Sequence, residues 1–351
     1  MTFGPLGTGA AGVSGRFFRH RRFGFSVADV ITYTYMSIGL LVVAMNIGAV
    51  IWAWWWLDGA PYKTMPDIDD TWLTRILMIP SSSDMLQKRA GLSLLLVLLA
   101  GLLDGIDGPI ARWRGTAAPR GEDLDGMADT VAFGMAPAAT LWATAVLAQV
   151  QQQHLFDHGA RVVGGLPSFG WYPFIWMACG LFVGAMQWRL RASHHTGWTH
   201  FVFKGLPAPG AGLILGTLAV LWDTALFHNA QLTPPGGLAD LNAADAARAV
   251  QAVVDNSSHY VYLGLFIPLA LAVYMTSPIP AVKMNRAGPY QLALDALILV
   301  AFAVVLALKR NLILGFTAAL ATYIGVGLIF GILLLRQNQR KLRAQSNSAG
   351  S

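Results

Sequence analysis

A chain of 351 residues that is 55% hydrophobic and only 12% charged cannot enclose its apolar side chains in one water-soluble core, so an ordinary globular domain is excluded. The apolar residues instead form runs long enough to cross a bilayer as helices, which makes this a polytopic membrane protein. The net charge of +6 suits an attraction to anionic lipid head groups and gives no reason to invoke nucleic acid, while the single cysteine, Cys179, excludes a disulfide framework within one chain.

Residues 1–27 form a cytoplasmic or interfacial segment in which Arg16, Arg19, Arg21 and Arg22 alternate with Phe. A membrane-embedded domain is expected over 28–336, with spans at roughly 30–57, 88–111, 124–150, 171–190, 208–227, 258–277, 290–308 and 311–335. The tail at 337–351 is polar and expected to be disordered. With eight spans the 24 basic residues divide sixteen to eight. The smaller group is Lys63, Arg75, Lys88, Arg89, Arg161, Arg248, Lys309 and Arg310. The positive-inside rule then places both termini in the cytoplasm.

Two longer connections, at roughly 58–87 and 228–257, carry Asp67, Asp69 and Asp70 and then Asp240, Asp245 and Asp255, and read as solvated extracytoplasmic loops. Trp52, Trp54, Trp55 and Trp56, with Trp171 and Tyr172, stand where an interfacial aromatic belt would anchor the helices. Cys179 reads as packing and His194, His195 and His200 as solvated loop residues.

Chemistry concentrates between the second and third spans. Asp104 and Asp107 are three positions apart and Asp125 and Asp129 four, so each pair shares one helical face, and a short Gly/Pro-bearing connection lets the two faces oppose. Carboxylates in so apolar a setting are costly unless something neutralises them, and hard divalent cations are the natural partner. A cation-coupled transporter would also keep acids in a membrane, but no second copy of the segment marks an internal repeat.

Written as a pattern the segment is DxxDGxxAR, eight residues, then GxxxDxxxD: Asp104, Asp107, Gly108, Ala111, Arg112, Gly121, Asp125 and Asp129. It resembles the signature of the CDP-alcohol phosphotransferase family at every specified position. The resemblance implies an all-α fold with a six-helix core inside the eight spans, in the cytoplasmic membrane of a bacterium. It further implies transfer of a phosphatidyl group from CDP-diacylglycerol to a small polar alcohol, with release of CMP. Two Mg²⁺ or Mn²⁺ ions would be held by Asp104, Asp107, Asp125 and Asp129, with Asp129 also the general base. Gly108, Ala111, Arg112 and Gly121 would face the CDP diphosphate, and a homodimer is expected. The family's PNxxT stretch before the first span corresponds here to 28–32, where Thr32 fits and Ala28 and Asp29 do not, so this region is left out of the expected site.

The acceptor is read from weaker signals. Phe203 to Gly212 (FKGLPAPGAG) is similar to a loop of the family's bacterial phosphatidylserine synthases, and Met275–Pro278 ahead of Lys283 is a second likeness. L-Serine is the expected acceptor, with glycerol 3-phosphate, inositol phosphate or choline as alternatives. Arg189, Arg191 and Lys204 are the cations available to bind it, although QWRLRASHH (187–195) stands where an RLARFN-like stretch is expected.

Overall fold

The computed structural model describes residues 27–57, 83–113, 119–157, 172–193, 202–231, 243–277 and 280–282, and a few single positions between 297 and 340. The N-terminal segment, the connection at 58–82, the three histidines, the seventh and eighth expected spans and almost all of the tail lie outside them.

The described residues form helices α1 (Val27–Leu57), α2 (Ser83–Trp113) and α3 (Pro119–Asp129), a π-helical turn (Thr130–Met135), then α4 (Ala136–Asp157) and α5 (Tyr172–Ser193). A short strand β1 (Val202–Lys204), α6 (Ala208–Gln231), α7 (Ala243–Thr276) and β2 (Pro280–Val282) follow. Helix α1 packs on α2 and α4, α6 packs on α2, α4 and α7, and α5 packs on α4 and α7. Among the described residues, five segments are long and apolar enough to cross a membrane: Val27–Ile51, Arg89–Asp107, Asp123–Gln149, Ala208–Ala225 and His259–Thr276. The protein is an integral membrane protein. Helix α5 has the length of a span but not the hydropathy, because Gln187, Arg189 and Arg191 and several aromatics dilute its apolar residues. It is nonetheless tied into the bundle by a buried stripe at helical spacing, Tyr172, Ile175, Cys179, Phe182 and Met186.

Helix α1 supplies the longest such stripe. Thr32, Tyr35, Gly39, Val42, Asn46 and Ala49 recur every three or four residues and are all buried, whereas Leu40, Ile47 and Ile51 point outward. Polar Thr32, Tyr35 and Asn46 turn inward on this stripe, while the outward hydroxyls of Thr34 and Ser37 donate to their own helix at the carbonyls of Val30 and Tyr33.

The π turn has a local cause. Pro137 has no N–H to donate to the carbonyl of Phe133, and its ring would crowd that carbonyl in a regular helix. Widening the preceding turn relieves both defects. Two neighbours close on the widened backbone: a Cβ at Gly39 would lie 2.8 Å from Cα of Ala132, and one at Gly212 2.5 Å from the carbonyl oxygen of Phe133. Small residues permit such approach between membrane helices. Gly39→Ala is expected to destabilise the protein by about 1–3 kcal/mol, the cost of overpacking against immovable backbone. An unchanged thermal unfolding midpoint in detergent would contradict that packing.

Several expectations are corrected. The all-helical architecture is as expected and carries one short addition, in which β1 and β2 form an antiparallel ribbon pairing Val202 with Val282, Phe203 with Ala281 and Lys204 with Pro280. The ribbon joins the FKGLP stretch to the segment after α7, two sequence signals separated by more than sixty residues. At its mouth Gly205 takes φ +75° and sits so tightly on the carbonyl of Met275 that no side chain fits. The expected loop at 228–257 is helical from Ala243 onward, where Arg248 donates to Asp245 at 2.6 Å on an exposed surface. Tyr172 is no interfacial anchor but is fully buried in the core.

Arg89, counted among the extracytoplasmic charges, lies inside the bundle. It pairs with Asp223 of α6 at 3.0 Å, donates to Thr144 of α4 at 2.8 Å and bonds Asn46 of α1. Asn46 in turn donates to Ser93 at 3.1 Å and Thr140 at 3.2 Å, so one polar cluster ties four helices together. The cationic side chain is buried because a carboxylate and two further polar groups meet it there, which hydropathy alone cannot reveal.

Candidate functional site

Asp104 and Asp107 stand in the last three turns of α2, and Asp125 and Asp129 are four residues apart on α3. Pro119 opens α3, a position where its missing N–H leaves no hydrogen bond unmade. The bundle brings one carboxylate oxygen each from Asp104, Asp107 and Asp125 within 4.8 Å of one another. Asp129 lies outside this set of three. Its Oδ1 is enclosed and has no hydrogen-bond partner among the described residues.

Two α1 residues absent from the sequence-based site complete this arrangement. Thr32 Oγ1 donates to Asp107 Oδ2 at 2.9 Å, and the phenol of Tyr35 donates to Asp125 Oδ1 at 2.7 Å. Thr32 had been set aside because its neighbours depart from the PNxxT pattern. The usable signal was its spacing three residues ahead of Tyr35, which puts two hydrogen-bonding side chains on one face of the span.

The donor set fits a hard divalent cation. Oxygens bound to one ion at about 2.0–2.6 Å lie no more than about 5 Å apart, and the three carboxylates meet that condition. Repulsion between two carboxylates at 5 Å is about 3 kcal/mol at an effective dielectric of 20. With three such pairs the cluster calls for a cation.

The other expected residues divide. Gly108, Ala111 and Arg112 continue α2 beyond Asp107. Gly121 opens α3 into free space, since a Cβ there would meet nothing within 4 Å among the described residues. Arg189, near the end of α5, is buried, and its charge acts on Asp129 together with those of Asp104, Asp125 and Asp107. Arg191 is exposed on the same helix end, and Lys204 closes β1. Arg189 is thus tied to the acids by electrostatics.

Three clustered acids from two helices, with Asp129 beside them, give this polytopic membrane protein a carboxylate centre. Residues 71–233, a little under half of the chain, match the CDP-alcohol phosphatidyltransferase family. A CDP-diacylglycerol–serine O-phosphatidyltransferase from Mycobacterium leprae (strain TN) is 29% identical over 164 residues, covering 41% of this chain and 47% of the relative. The matched stretch therefore spans about half of that relative's length. Both the acids and the FKGLP loop lie within the family match, whereas α1 lies ahead of it.

Proposed function

We propose that the protein transfers a phosphatidyl group from CDP-diacylglycerol to L-serine, giving phosphatidylserine and CMP. The observation that carries this reading is the convergence of Asp104, Asp107 and Asp125 beside the enclosed Oδ1 of Asp129. Divalent cations, Mg²⁺ or Mn²⁺, held by these acids would neutralise the charge of the diphosphate. Asp129 accepts the proton of the serine hydroxyl, whose oxygen forms the new bond to the lipid-side phosphorus. The bond from that phosphorus to the bridging oxygen breaks, and CMP leaves with its electron pair. Gly108, Ala111 and Gly121 give the nucleotide access to helix backbone, and Arg112 meets the diphosphate. Arg189, already within electrostatic reach of Asp129, holds the serine carboxylate, with Arg191 and Lys204 at the entrance.

Serine is favoured over glycerol 3-phosphate, inositol phosphate or choline by the name of the Mycobacterium leprae relative and by the FKGLP loop. The proposal includes the 28–336 membrane domain with eight spans around a six-helix core, both termini and the acids on the cytoplasmic side, and a homodimer. It places the soluble acceptor and CMP in the aqueous phase and the acyl chains in lipid.

The test is CMP release by the purified full chain in detergent with CDP-diacylglycerol, Mn²⁺ and each acceptor in turn. Release with serine is expected. Release with glycerol 3-phosphate and none with serine would overturn the acceptor, and no CMP with any acceptor would overturn the enzymatic reading in favour of an ion-coupled transporter.

A further inference from the structure

We infer that Tyr35 is a positioning residue that fixes the Asp125 carboxylate for metal binding from a helix outside the acidic motif. This rests on reading the acids as a metal site. Three observations carry it. The phenol donates to Asp125 Oδ1 at 2.7 Å across 90 residues of sequence. The Tyr35 side chain is fully buried, and its ring stacks on Phe133 with centroids 6.4 Å apart and planes inclined 28°. One turn further along the same stripe, Gly39 closes on the backbone of Ala132. Tyr35 is therefore packed against the π turn that directly follows Asp129, by its own ring and by Gly39 one turn on, which restricts its hydroxyl to Asp125.

The consequence is a defined rotamer for a ligand that would otherwise swing. A carboxylate on a helix can rotate about χ1 and χ2, and each conformer that turns its oxygens away from Asp104 and Asp107 weakens the cluster. A fixed O–H on one oxygen removes those conformers, as outer hydrogen-bond partners do for metal ligands generally. Thr32 performs the same service for Asp107 at 2.9 Å. One face of α1 thus orients both a ligand from α2 and a ligand from α3.

The experiment is a Mn²⁺ titration of the purified full chain in detergent, with free Mn²⁺ read by electron paramagnetic resonance and thermal unfolding recorded beside it. Tyr35→Phe keeps the ring and removes the donor, so Mn²⁺ affinity is expected to fall about tenfold at an unchanged unfolding midpoint. In an Asp125→Asn background the same substitution should produce no further loss. Phe133→Leu, which removes the stacking ring but keeps the hydroxyl, should lower Mn²⁺ affinity by less than Tyr35→Phe does, because the donor is loosened and not lost. Equal affinity for the parent and Tyr35→Phe overturns the inference while leaving the metal site standing, as does an undiminished loss from Tyr35→Phe in the Asp125→Asn background. A parent chain that binds no Mn²⁺ overturns the metal reading and the inference with it.

Discussion

Asp129→Asn should reduce CMP release from CDP-diacylglycerol by about 10²–10⁴-fold, the usual contribution of a positioned proton acceptor. The amide matches the carboxylate in size but cannot take the proton of the acceptor alcohol. The geometry suits this division of labour. Asp129 stands beside the three clustered acids but outside them, with an enclosed oxygen that no described side chain engages. Nucleotide binding should therefore survive in Asp129→Asn, measured by CDP titration in the presence of Mn²⁺. Asp107→Asn is expected to lose both properties, because Asp107 belongs to the cluster and is the acid that Thr32 orients. Near-normal turnover in both variants would sink the assigned roles. Loss of nucleotide binding in Asp129→Asn would instead make Asp129 a ligand on equal terms with the other three.

Asp223→Leu should destabilise the bundle by about 3–5 kcal/mol, since it leaves the guanidinium of Arg89 buried without its counter-charge. The pair lies well away from the acids: Arg89 and Asp104 sit on one helix, fifteen residues and so roughly 22 Å apart. Turnover by whatever fraction remains folded should accordingly be little changed. Arg89→Met combined with Asp223→Leu should recover part of the lost stability, because no uncompensated charge remains. The recovery will be incomplete, as Asn46 and Thr144 also lose a partner. Thermal unfolding in detergent of the two single variants and the double variant measures the coupling, and strictly additive losses would refute a direct interaction.

Much of the site was legible because its spacing is local. Asp104 with Asp107, and Asp125 with Asp129, share a face through helical periodicity alone, whatever the helices pack against. The intramembrane setting then marked the acids as functional, and the fixed intervals of Gly108, Ala111, Arg112 and Gly121 carried the family resemblance. The helical course of the first six spans was readable for the same reason, since a bilayer demands apolar runs of a set length. Hydropathy misjudged Arg89 and Tyr172, because it scores a side chain without knowing whether a partner waits in the interior.

The sequence by itself thus determined a polytopic membrane protein with four acids on two helical faces. Tertiary structure alone decided what meets those faces. Thr32 reaches Asp107 across 75 residues, Tyr35 reaches Asp125 across 90, and Arg89 reaches Asp223 across 134. It also decided that the FKGLP stretch and the segment after α7 would pair as strands, and that the backbone beyond Asp129 would widen against Gly39 and Gly212. The physical reason is one of range. Helical periodicity fixes directions within a single element, whereas a hydrogen bond between elements depends on the separation and rotation of helices that many packing contacts set together.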